Sequence, residues 1–176
     1  MWSAEFRAFA ATCALGLALG CGEANEADPA NAEVVLAPDG WTYDESVGPW
    51  SRLETEEDCS EQGFGPESAY FEVETDRCPW GSWAQELDAE LRAGDVIEFD
   101  FHHLDLRAPV PATAVVELGV GEQVLWTLRR DIPSPAAFEQ VEIEIDRAFE
   151  GGLAWFHVHN HGDNSYRLGT VRLTPR

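Results

Sequence analysis

The sequence of 176 residues contains no lysine; its 11 basic side chains are all arginine, set against 33 Asp and Glu for a net charge of −22. A nucleic-acid backbone needs a basic footprint, so this balance excludes nucleic acid as a partner. It also disfavours electrostatic docking on anionic lipid headgroups. Codon usage in a GC-rich genome accounts for the missing lysine, and so does a preference for arginine's bidentate fork. Catalytic signatures are missing too: there is no Gly-x-Ser-x-Gly elbow, no His-Glu-x-x-His and no phosphate loop. Cysteine is scarce, with four in the chain. The uncharged stretch Ala8–Gly20 is too short to cross a bilayer as a helix, which needs about 20 residues.

That stretch instead suits the apolar region of a signal peptide. It ends in Ala18-Leu19-Gly20-Cys21, which resembles a lipobox, the site at which bacterial lipoproteins are acylated on cysteine and cleaved before it. Ala18 stands where Leu is usual in that motif, and the first seven residues carry one acid and one base. An ordinary secretory peptide cut near Gly20 is the competing reading. The resemblance implies a signal peptide over residues 1–20, lipidation of Cys21, and a place in the bacterial cell envelope. Gly22 rather than Asp after the cysteine points to the outer membrane. Acyl chains anchor at about 0.8 kcal/mol per buried CH₂, so several chains hold stably. Residues 21–33 are expected to be the lipidated cysteine and a disordered acidic tether, and residues 34–176 the folded domain.

Cys59 and Cys78 are the cysteines left for that domain. In an oxidising compartment they are expected to pair. Closing such a loop stabilises by about 3 kcal/mol on the chain-entropy model. A zinc site is less attractive, because no two further ligands stand at motif spacing.

From residue 68 onward apolar and polar residues alternate. Phe71 and Val73 alternate with Glu72 and Glu74; Ile97, Phe99 and Phe101 with Glu98, Asp100 and His102; Val141, Ile143 and Ile145 with Glu142, Glu144 and Asp146. Val116, Leu118 and Val120, then Val124, Trp126 and Leu128, form further inward sets. Period two marks half-buried strands, here with one acidic face. Gly and Pro punctuate the gaps, so the fold class is all-β, an antiparallel β-sandwich. Residues 83–91 fit either period; Trp83, Leu87, Ala89 and Leu91 share one strand face, and a strand is favoured.

The run Gln85-x-Leu87-x₃-Leu91-x-Ala93-Gly94-Asp95-x-Ile97-x-Phe99-x-Phe101 is similar to a stretch of jelly-roll modules with a galactose-binding-like fold. A C-terminal hairpin, from a strand ending His157-Val158-His159 to one starting near Tyr166, also looks like their last strands. The resemblance implies an eight-stranded jelly roll of the kind used for glycan or partner binding. It carries no sugar-site motif onto particular residues.

All five histidines fall in two places, His102-His103 and His157-x-His159-x-His161. Residues i, i+2 and i+4 of a strand share a face. His157, His159 and His161, with His102, Glu98 or Asp100 from a neighbouring strand, could therefore hold Zn²⁺ or Cu²⁺. The competing reading is structural: Leu153 and Trp155 lie on the histidine side, and His161 sits in a turn-like Asn160-His161-Gly162-Asp163-Asn164. His103 shares the parity of the core set, and His102 that of the acidic face. Seven tryptophans are many for this length. Exposed Trp beside acids can cover a sugar ring, which makes Trp126 and Trp155, with Glu98 and Asp100, candidate ligand-binding residues; filling the core is the alternative. The acidic run Glu54, Glu56, Glu57, Asp58 and Glu61 lacks EF-hand spacing and reads as a solvated loop. No catalytic residue is assigned. The function expected is a lipid-anchored, non-catalytic module binding a glycan or envelope protein. The alternatives are a metal-binding lipoprotein and a structural envelope protein without a small ligand.

Overall fold

The computed structural model describes residues 31–50, 59–87, 89–149 and 151–176. The lipobox-like Cys21 and the acids at 54–58 lie outside the described residues. Twelve strands follow in order: β1 (Glu33–Leu36), β2 (Thr42–Tyr43), β3 (Phe64–Glu67), β4 (Tyr70–Glu74), β5 (Trp80–Leu87), β6 (Val96–His103), β7 (Ala112–Val120), β8 (Gln123–Ile132), β9 (Ala137–Glu144), β10 (Gly152–His159), β11 (Ser165–Gly169) and β12 (Val171–Thr174). All pairings are antiparallel. One sheet has seven strands and the other five.

The winding is that of a jelly roll. β11 and β12 both pair β6 along one edge and are separated by Thr170, so they act as one interrupted strand. Counting β4 to β11/β12 as strands one to eight, the larger sheet runs 6-3-8-1 and the smaller 2-7-4-5. This is the double Greek key of jelly rolls. β1, β2 and β3 extend the sheets. The ambiguous segment is strand through Leu87, and Leu91 then bridges Phe149 singly.

The alternation dictates the packing. Phe71, Val73, Ile97, Phe99, Phe101, Tyr166 and Leu168 face inward from the larger sheet, and Trp83, Val116, Leu118, Phe156 and Val158 from the smaller. Each such side chain contributes about 1.5–3 kcal/mol by leaving water. Phe71 and Trp83 meet edge to face across the interface, centroids 5.5 Å apart. His103 is buried with this set and bonds through Nδ1 to the Leu104 carbonyl (2.8 Å), as its parity required.

The C-terminal hairpin does not exist. β10 pairs β5 and β7, whereas β11 pairs β4 and β6, so residues 160–164 carry the chain from one sheet to the other. Polar bonds pin this crossing. Asn160 Nδ2 donates to Thr75 Oγ1 (2.8 Å), Thr75 Oγ1 donates to the Gly162 carbonyl (2.5 Å), and Asn164 takes the Arg107 N–H and returns a bond to its carbonyl. Asn and Gly there serve a sheet-to-sheet crossing, not a two-strand turn. Cys59 and Cys78 form the expected disulfide, closing a separation of 19 residues.

Candidate functional site

The outer face of the seven-stranded sheet is built in rows, because antiparallel register lines up residues of equal parity. One row runs Phe138–His102–Arg167–Glu72 across β9, β6, β11 and β4. The next runs Gln140–Asp100–Gly169–Tyr70. A third runs Glu142–Glu98–Arg172. Gly169 is the low point: a Cβ there would meet the Asp100 carbonyl at 3.0 Å and its Cβ at 3.4 Å. Tyr70 and His102 meet edge to face, with centroids 4.6 Å apart, and His102 lies parallel to Phe138 at 6.4 Å. Phe138 is 56% exposed and Leu104 52%. Tyr70, His102 and Phe138 form an aromatic floor open to water.

Three hollows flank this floor. One of about 440 Å³ is lined by Tyr70, His102, Leu104, Ala136 and Phe138. Another of about 710 Å³ includes Glu67, Glu72, Arg107, Asp163 and Arg167. A third of about 330 Å³ holds Glu98, Asp100, Gln140, Glu142 and Arg172.

The charges are internally arranged. Arg167 Nε donates to Glu72 Oε1 (2.7 Å) and its Nη2 lies 3.6 Å from Glu67. Ser165 donates to the same Glu72 oxygen. Burial pushes the Glu72 carboxyl up, but bonds from Glu67, Ser165 and Arg167 outweigh it and hold it below the usual range. Glu67 is pushed up by its hydrogen bond to Glu72 and by that carboxylate's charge. Partial burial, then the Arg167 charge, lowers the His102 imidazole.

The outer face of the five-stranded sheet is closed. Its central row is Ser82–His157–Glu117, and residues 44–50 lie across it. Trp50 stacks on His157 with centroids 4.9 Å apart and donates Nε1 to Glu117 (2.9 Å); Thr127 donates to the same carboxylate (3.1 Å). His157 Nδ1 bonds Ser82 Oγ at 2.9 Å. Burial depresses this imidazole to about 3. Trp155 is 1% exposed beside Val47 and Ala84, donating Nε1 to the Gly121 carbonyl (2.7 Å). Gly119 makes room for it, since a Cβ there would meet the indole at 2.3 Å.

The candidate residues are thus redistributed. Glu98, Asp100 and His102 lie on the open face. Trp155 is buried, and Trp126 is half-buried with its ring packed on Phe99 and Phe101 at 5.4 and 4.9 Å, against the core and away from the open face of the seven-stranded sheet. The four-histidine metal set does not assemble. His102 is on the other sheet, His157 is sealed under Trp50, and only His159 and His161 meet, Nε2 to Nε2 at 3.1 Å. Among the described residues no group of three or more His, Cys, Asp or Glu converges for a metal. Tyr70, Glu72, Phe138 and Arg167 were not singled out from the sequence. Tyr70 and Phe138 do carry a signal, as aromatic rings at the polar phase of alternating strands.

No protein-family model and no curated protein matches the sequence. Among solved structures, the chain is similar to a module described for specific mannan recognition, TmCBM27, at 13% identity and a TM-score of 0.49, covering 82% of this chain and 95% of that one. It is similar to a family 29 carbohydrate binding module at 9% identity and a TM-score of 0.46, covering 80% and 89%. A CBM4 structure follows at 10% identity and 0.38, covering 64% and 75%.

Proposed function

We propose that this chain is a non-catalytic module that binds a glycan on the open face of its seven-stranded sheet. What carries the reading is the exposed aromatic floor of Tyr70, His102 and Phe138, flanked by ionised and amide groups in open hollows. A ring presents an apolar face to the C–H side of a sugar, while carboxylate, guanidinium and amide groups take its hydroxyls. Carboxylates outnumber guanidinium groups in the largest hollow, so neutral chains are favoured over uronates or sulfated glycans.

The test is a glycan array with the folded chain and with Tyr70→Ala and Phe138→Ala. Hits on neutral glycans that both substitutions weaken would support the reading; no hits, or hits indifferent to both, would reject it. The proposal extends to the N-terminus: Cys21 is acylated and tethers the domain to the cell envelope. Labelled palmitate incorporated into the native chain and absent from Cys21→Ser would support that anchor; equal labelling would end it.

A further inference from the structure

His159 and His161 lie at the end of the smaller sheet and in the crossing that leaves it. His159 ends β10, in register with Trp80 and Val115 on the smaller sheet, and His161 follows in the sheet crossing. Their Nε2 atoms stand 3.1 Å apart and their rings are inclined at 80°. Two nitrogens at that spacing, each bonded to one ion at about 2.05 Å, subtend about 98° at the metal. This lies between the square-planar and tetrahedral angles, a range open to Cu²⁺, Ni²⁺ and Zn²⁺.

The backbone on both sides of His161 is fixed. Asn160 N–H donates to the Pro79 carbonyl (2.8 Å), its side chain bonds Thr75, and the Gly162 carbonyl accepts from Thr75. Ligands held before the ion arrives lose little freedom on binding it. His161 is exposed and His159 half-buried. We infer that His159 and His161 supply two imidazole ligands to a site for a late first-row divalent cation. Both rings then carry their proton on Nδ1, so that each Nε2 lone pair meets the ion.

The experiment is titration of the full chain, without an added histidine tag, with Zn²⁺ in excess Mg²⁺ to occupy the carboxylates. It is read by calorimetry and by the ¹⁵N shifts of the imidazoles. One saturable equivalent is expected, with both Nε2 resonances moving to the metal-bound range. Affinity should drop about tenfold or more in His159→Ala or His161→Ala, and fall on acidification as protons compete. The double substitution should abolish the event while thermal unfolding stays within about 2 °C of the parent. Unchanged affinity in the double variant, or no saturable event, overturns the site. Glycan binding on the other sheet is a separate readout, so either claim can fail alone.

Discussion

On the five-stranded sheet, the outward row Ser82–His157–Glu117 lies beneath Trp50 and is dry; on the seven-stranded sheet, the outward row Arg167–His102–Phe138 is open to water, and only Glu72 at its end is buried. Both rows come from strands of alternating phase. The difference is made by residues 44–50, which lie over one face and have no counterpart among the described residues over the other. Under that cover a histidine cannot accept a proton cheaply and a carboxylate must be fully bonded. In the open, the same residue types remain available to a ligand. A face becomes a candidate site where none of the described residues covers it.

The comparison can be broken by substitution. Trp155→Ala under the cover should cost about 3–5 kcal/mol in urea unfolding, through lost burial and a cavity. Phe138→Ala on the open face should stay within about 0.5 kcal/mol, as exposed substitutions do. A Trp155 variant as stable as the parent would show that the cover is loose. Next in size is the disulfide, which ties Cys59 to Cys78 in the loop just before β5. The Cys59→Ser, Cys78→Ser double variant should lose about 3 kcal/mol by the same measurement.

Acid sharpens the contrast. His157 titrates at about 3 in the fold against 6.5 in the unfolded chain, so the unfolded chain takes up the proton first. Its stabilising contribution is complete above pH 6.5 and is lost as pH falls toward 3, at no more than about 1.4 kcal/mol per pH unit. Unfolding midpoints followed from pH 7 down to about 5, before most carboxylates titrate, should decline in the parent and flatten in His157→Gln. Equal slopes would mean that His157 is reached by water. The smallest effect belongs to the open face: Tyr70→Ala and Phe138→Ala should each cost about 1 kcal/mol in glycan affinity while leaving unfolding almost unchanged.

Much of the sandwich was readable in the alternation, because Ile97, Phe99 and Phe101 or Val116, Leu118 and Val120 can face only one way in a strand. The disulfide followed from counting. The connection between β10 and β11 did not, since a turn-rich Asn-His-Gly-Asp-Asn suits a hairpin and a sheet crossing alike. Only the long-range bonds of Thr75, Asn164 and Arg107 distinguish them. Trp155 and His157 were on the predicted face, but what covers that face comes from residues more than 100 positions earlier. Periodicity describes a strand and not its neighbours. The open site was half legible: Glu98, Asp100 and His102 stood out as an acidic face, whereas Phe138 and Arg167 gain meaning only once register sets them beside His102.

The most direct measurement is an affinity-gel or calorimetric comparison of parent, Phe138→Ala and Trp155→Phe on the best neutral glycan from an array. The account predicts that Phe138→Ala loses about five- to tenfold in affinity, equivalent to about 1–1.4 kcal/mol, while Trp155→Phe binds like the parent. Loss of binding in Trp155→Phe with retention in Phe138→Ala would place the ligand on the covered sheet and contradict it.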